Sequence, residues 1–260
     1  MTLALHKNSR EILPLRETEV ADSGRKKFIC PEESSRYSGS LEQLVFNKLR
    51  DIPINATVIE FGSGTGSPVI SAILNSGFWG TVHGYEISPE AAETANALIW
   101  ENQLSRQYII HNESFFEAKA IPQADYLIAN PPYIPCDDRN SLLLSGLCGG
   151  PEGNDVSKKL LSAGYKNVFL EVSSYSNPVA VVEHARSLGY KIIDFQTTQM
   201  PFGMYSRQPH VWQRIQELKS AGKAFFSANC YMVGSALFTR DLTREADLSA
   251  EFIAGLTALR

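Results

Sequence analysis

The chain has 260 residues, 43% hydrophobic and 20% charged, with a formal net charge of −4, the size and balance of one α/β domain with appendages and a sizeable core. It holds no apolar run of the ~18 residues that a membrane span needs, and its mild acidity disfavours nucleic acid as a partner, since phosphate contacts demand a basic surface. His6, Lys7, Asn8 and Arg10 stand where a signal peptide would be apolar, so a cytoplasmic protein is expected.

Residues 1 to about 37 are polar and punctuated by Pro14, Gly24 and Pro31, which reads as an arm or lid. Leu41, Leu44, Val45 and Leu49 then recur at helical spacing. Residues 1–50 are therefore expected to form an N-terminal arm and helix. The β-branched run Thr57-Val-Ile predicts a buried strand ending in Glu60, followed by Gly62, Gly64 and Gly66 and by an apolar helix from Val69 to Leu74. Glycines in a strand-to-helix turn admit φ > 0 and let a nucleotide-like ligand approach the backbone amides. Thr81 to Ile87 predicts a second strand, and Ser88-Pro89 the cap and first turn of a helix through Ile99. Tyr108–His111 and Asp125–Asn130 read as strands three and four, Asn167–Val172 as the fifth and Tyr190–Phe195 as the sixth. Helices are expected at about 156–161 and 178–188. An aromatic insertion is expected at about 196–225, with Met200-Pro-Phe-Gly-Met-Tyr205 as a loop and a helix from about 209 to 219. Cys230–Phe238 reads as the last strand, and 241–260 as an amphipathic C-terminal helix. Alternation of strand and helix predicts a mostly parallel sheet of seven strands with helices on both faces, spanning residues 51–240. Cys30, Cys136, Cys148 and Cys230 show no C-x-x-C pair, so neither a metal site nor a disulfide is expected and reduced thiols are the default.

Two further stretches carry chemistry. Glu86, at the end of the second strand and 26 residues after Glu60, lies where an acid can accept both hydroxyls of a ribose, with Ile87 beside it. Asn130-Pro-Pro-Tyr133 ends the fourth strand. Two prolines lock φ and restrict the residue before each, so the Asn130 side chain and the Pro131 carbonyl are aimed together as acceptors for one –NH₂ group. Tyr133 can stack on a planar amide or ring. Proximity and orientation of that nitrogen to an electrophile then supply most of the acceleration, without a strong base.

Glu60-x-Gly62-x-Gly64-x-Gly66 resembles the first motif of the class I S-adenosylmethionine (SAM) methyltransferases, a Rossmann-like fold. With Asn130-Pro-Pro-Tyr-Ile-Pro135, Gly149-Gly-Pro-Glu-Gly-Asn-Asp155 and Leu170-Glu-Val172, the chain is similar to the family that methylates the glutamine of peptide-chain release factors. The resemblance covers about Thr57 to Phe195. It implies SAM over Glu60, the three glycines and Glu86, an adenine held by Ser114 or Glu113 and covered by Phe115 or Phe116, and an acceptor nitrogen at Asn130, Pro131 and Tyr133. The chain departs from the family at Glu152 and Asn154, at the insertion, and in its short polar N-terminus in place of a helical substrate domain. The acceptor implied is thus a small molecule, a peptide or a protein. In the alternative, SAM is the sole substrate: its own α-amine attacks Cγ to give azetidine-2-carboxylate and methylthioadenosine, with Tyr133 and Tyr175 stabilising the sulfonium. A non-catalytic SAM-binding module and a nucleic-acid base methyltransferase rank lower.

Overall fold

The computed structural model describes residues 52–259, apart from 54, 139–141, 143 and 144. The arm and helix expected over residues 1–50 lie outside the described residues. Seven strands form one sheet: β1 (Thr57–Phe61), β2 (Thr81–Tyr85), β3 (Tyr108–His111), β4 (Tyr126–Ala129), β5 (Asn167–Ser173), β6 (Lys191–Pro201) and β7 (Cys230–Thr239). Their order is β3-β2-β1-β4-β5-β7-β6. The first five pair in parallel, and β7 runs antiparallel to both β5 and β6.

Helix α1 (Ser67–Ser76) leaves the glycine turn with Pro68 in its first turn and stops at Gly77 in the left-handed region. Helix α2 (Pro89–Glu101) is capped by Ser88, whose hydroxyl accepts from the Ala91 amide at 3.3 Å. Helices α3 (Asp155–Ser162), α4 (Pro178–Ser187), α5 (Pro209–Ser220) and α6 (Ser249–Leu256) follow. Alternation within β1 divides the core: Val58 joins Val69, Ile73 and Ile99 beneath α1 and α2, whereas Ile59 joins Leu160, Val181 and Phe252 beneath α3, α4 and α6. Both faces of the sheet are therefore covered, as a parallel sheet requires.

Two expectations need correction. Strand β6 does not end at Phe195 before an insertion; it continues to Pro201, with Met200 opposite Tyr231 and Pro201 opposite Cys230. Thr197 and Thr198 suit a strand, and the ten-residue β7 supplies partners along the whole length. The tail is helical only over Ser249–Leu256, because Asp247 ends the preceding irregular stretch by accepting from the Ser249 amide at 3.1 Å. Among the described residues no helix is long and apolar enough to cross a membrane.

Candidate active site

Sheet register decides which strand ends meet. Phe61 lies opposite Tyr85 on one side and Ala129 on the other, and Tyr85 lies opposite His111. The next residues, Gly62, Glu86, Asn112 and Asn130, therefore stand in a row at the carboxyl ends of β1 to β4. This is the point where the strand order reverses, the crevice in which open α/β sheets bind ligands.

The glycine turn has the backbone its sequence predicts. Gly62, Gly64 and Gly66 take φ of +69°, +53° and +71°, which side chains other than glycine rarely adopt. A Cβ at Gly62 or Gly64 would meet no atom within 4 Å, so a ligand can lie against that backbone. At Gly66 the reason is packing, for a Cβ would come within 3.0 Å of the Tyr108 ring.

Glu60 lies beneath this turn, buried, and accepts a short hydrogen bond from the Tyr108 hydroxyl. Strand β2 runs between them. Gly84, opposite Glu60, leaves the space for that reach, since its Cβ would sit 3.1 Å from Glu60 Oε2. Burial raises the Glu60 pKa from 4.5 to about 7; the Tyr108 hydrogen bond opposes the rise and the Glu86 charge adds to it. The Tyr108 hydroxyl is itself pushed well above its ordinary range by burial and by Glu60. Sequence reasoning missed Tyr108 and Gly84, although a glycine inside a strand marks a close approach and was the available signal.

Glu86 is pinned at both oxygens: the Gly64 amide donates to Oε2 and the Ser88 amide to Oε1, each at 2.8 Å. Asn112 Nδ2 donates to the Glu86 carbonyl at 2.8 Å. Each carboxylate oxygen retains a lone pair for a ligand hydroxyl. Ile87 presents an apolar side chain that is 68% exposed next to it. Ser114 is half-buried, and its carbonyl closes a turn by accepting from the Glu117 and Ala118 amides. Phe115 lies in the core, edge-on to Phe61 and Tyr85, and Phe116 is the exposed ring of the pair.

Asn130 is half-buried, and Pro131 and Tyr133 are buried. The loop they begin is backed by the glycine-rich loop over Gly149–Asp155. Ile134 and Cys148 form a parallel bridge, the Gly149 amide donates to the Ile134 carbonyl at 2.9 Å, and the Cys136 amide donates to the Gly150 carbonyl at 2.9 Å. A Cβ on Gly149 would collide with the Pro132 and Gly153 carbonyls, both 2.7 Å away. Ser176 donates to the Tyr133 carbonyl at 2.8 Å. Glu152 and Asn154 have partners within this buttress. Glu152 accepts from Lys223 at 2.5 Å and from Asn177 at 2.6 Å, which hold its carboxyl below the usual range, and buried Asn154 donates to the Asn177 carbonyl at 3.4 Å. The Tyr133 ring meets Tyr175 edge-on at 5.9 Å, and Tyr175 packs on Phe202 and Tyr231. Phe202 is thus core beneath α5, whereas Met204 is exposed.

The cysteines depart from expectation. Cys136 and Cys148, with Cα atoms 5.7 Å apart, are joined in a disulfide, while Cys230 is free. The pair stands twelve positions apart in sequence, and it is the bridge between Ile134 and Cys148 that folds them together.

No family model matches the chain. A curated relative, the release factor glutamine methyltransferase of Gloeobacter violaceus, is 27% identical over 152 residues, covering 53% of this chain and 53% of that protein. The chain thus spans about half the length of that relative. Among solved structures it is similar to one from Pyrococcus horikoshii provisionally named an RNA methyltransferase, with a TM-score of 0.50 and 15% identity over 79% of this chain and 84% of that one. It is also similar to M. jannaschii TYW2 solved in complex with AdoMet, with a TM-score of 0.47 and 15% identity over 77% and 76%. The first of these two likenesses, with the strand order above, shows the Rossmann-like methyltransferase fold.

Proposed function

We propose that this chain is a SAM-dependent N-methyltransferase, with residues 51–240 as its catalytic domain, acting on a planar or amide nitrogen of a small molecule, a peptide or a protein. The observation that carries the reading is the register that sets Gly62, Glu86 and Asn130 side by side at the switch point. SAM fits the residues present: Gly62 and Gly64 leave open backbone, the glycines feed a helix N-terminus, and Glu86 is fixed with acceptor capacity to spare. Glu60 and the three glycines would hold its amino-acid end, Glu86 its ribose, and Ile87 and Ser114 its adenine, whereas Phe115 is a core ring. SAM supplies an electrophilic methyl on a sulfonium.

The protein's own contribution is placement. Asn130 and the Pro131 carbonyl accept the two hydrogens of the acceptor nitrogen, which turns its lone pair toward the methyl. The nitrogen gains a carbon and releases one proton to solvent. The glycine-rich buttress over Gly149–Asp155 keeps the Pro131–Tyr133 backbone in place while this happens.

A second reading is favoured by the aromatic cluster behind Asn130. Tyr175 and Tyr231 are fully buried ring against ring and hold Tyr133 edge-on, and Tyr133, 9% exposed, is the ring of the three that has a face to offer a sulfonium. In that reading SAM is cyclised through its own amine and no acceptor is used.

One experiment separates these. The protein is incubated with SAM alone and with a panel of amides, amines, glutamine-containing peptides and an RNA oligonucleotide, and products are identified by mass spectrometry. S-adenosylhomocysteine formed only with an amide or amine supports the proposal. Methylthioadenosine from SAM alone replaces it with the cyclase, and methylated RNA replaces it with a nucleic-acid activity.

A further inference from the structure

The mechanism uses neither sulfur of the Cys136–Cys148 pair, yet the pair sits at a telling place. Cys136 directly follows Pro135 of the acceptor-facing loop, and Cys148 directly precedes the Gly149-Gly150 buttress. The same two segments are already tied by three backbone hydrogen bonds: Ile134 to Leu147 at 3.1 Å, Gly149 to Ile134 at 2.9 Å, and Cys136 to Gly150 at 2.9 Å. The S–S bond therefore closes the span between the two loops without being needed to bring them together. We propose that Cys136–Cys148 is a reversible thiol–disulfide couple that clamps the acceptor-facing loop onto its glycine-rich buttress. The link from clamp to turnover rests on the methyltransferase reading; the couple itself does not.

Two observations point this way. Both sulfurs are buried, but Asp137, which follows Cys136, is exposed, so a local opening of that turn gives a reagent access. The hydrogen bonds that remain after reduction keep the two segments paired, so the fold survives and loop freedom changes.

The exchange balances with a small-molecule disulfide such as oxidised glutathione as the oxidant. One cysteine thiolate attacks a glutathione sulfur, expels one glutathione thiolate and leaves a mixed disulfide. The second cysteine thiolate then attacks the protein sulfur of that bond and expels the second glutathione. Two protons leave the cysteines, two electrons pass to the oxidant, and two glutathione thiols result. Excess reduced glutathione drives the same steps backwards.

The test uses the whole chain in glutathione buffers from reducing to oxidising, followed by acid quench, alkylation and tryptic digestion. Cleavage after Arg139 puts Cys136 and Cys148 on separate peptides, so the linked pair has its own mass. The linked fraction should move reversibly between near zero and near complete in protein that stays folded. A link that persists until the protein unfolds overturns the proposal in favour of a structural disulfide only, and a link that never forms overturns it outright. Hydrogen exchange should show the Ile134, Cys136 and Gly149 amides protected about tenfold more in the oxidised form, and equal protection would refute a clamp. Oxidised protein should turn over acceptor faster, on the order of tenfold, at unchanged SAM affinity. The Cys136→Ser, Cys148→Ser double variant should match reduced protein at every glutathione ratio. If no acceptor is methylated at all, the peptide map and the exchange data still decide the couple, and the methyltransferase reading fails separately.

Discussion

Replacing Glu60 by glutamine isolates the electrostatics beneath the glycine turn. The folded carboxyl titrates near 7 while an unfolded one titrates at its ordinary 4.5, because burial disfavours the anion. Between those values the unfolded chain is ionised at this position and the folded chain is not, so unfolding releases a proton and rising pH favours it. The Glu60 contribution to stability is thus complete below pH 4.5 and is lost as pH rises through 7. The displacement corresponds to about 3 kcal/mol. Glutamine is neutral throughout, and its amide oxygen can still accept from Tyr108. Urea unfolding of both proteins at intervals from pH 4.5 to 8 measures the effect as a difference, in which other titrating groups cancel. The variant should gain about 3 kcal/mol on the wild type across that range, a midpoint shift of roughly 1 M or more at ordinary denaturant slopes. Parallel curves would refute the reasoning, since they would mean that Glu60 is ionised in the fold from the start.

Other substitutions probe the remaining parts of the site. Asn130→Ala should leave SAM affinity within a few-fold but cut turnover by about 10²-fold or more, as single-turnover and equilibrium measurements would show; near-normal turnover removes its assigned role. Glu86→Ala should weaken SAM binding by about tenfold or more, because it deletes the ribose acceptor and frees the Gly64 and Ser88 amides; unchanged affinity by calorimetry excludes it from the ribose site. Gly66→Ala should cost about 1–3 kcal/mol in thermal unfolding, since its φ of +71° strains a side chain and its Cβ would press on Tyr108; an unchanged melting temperature would show that the turn relaxes freely.

How far the sequence spoke for itself differs from residue to residue. Gly62, Gly64 and Gly66 were legible because a glycine at every second position after a β-branched run announces a backbone that needs φ > 0. Glu86 and Asn130 were legible as strand-end residues, and a parallel sheet brings strand ends together once its order is known. Tyr108 was not, because its reach to Glu60 depends on crossing β2 at Gly84, which pairwise spacing does not encode. The extension of β6 to Pro201 was hidden for a similar reason: only the length of β7 makes Gln196–Pro201 a strand. Ser114 and Phe115 share one turn with opposite exposures to their sequence neighbours, and a one-residue change of register there exchanges a core ring for an exposed one. The Cys136–Cys148 pair depended on a single bridge between two loops, a contact with no periodic signature.

The central claim is that the glycine turn and Glu86 form a SAM site, and titration of SAM into the purified protein by calorimetry tests it most directly. The account predicts saturable one-to-one binding with a Kd in or below the micromolar range, roughly −8 kcal/mol or tighter, competed by S-adenosylhomocysteine. Absence of saturable binding at millimolar SAM would contradict it, and with it the assignment of Asn130 as the residue that orients an acceptor.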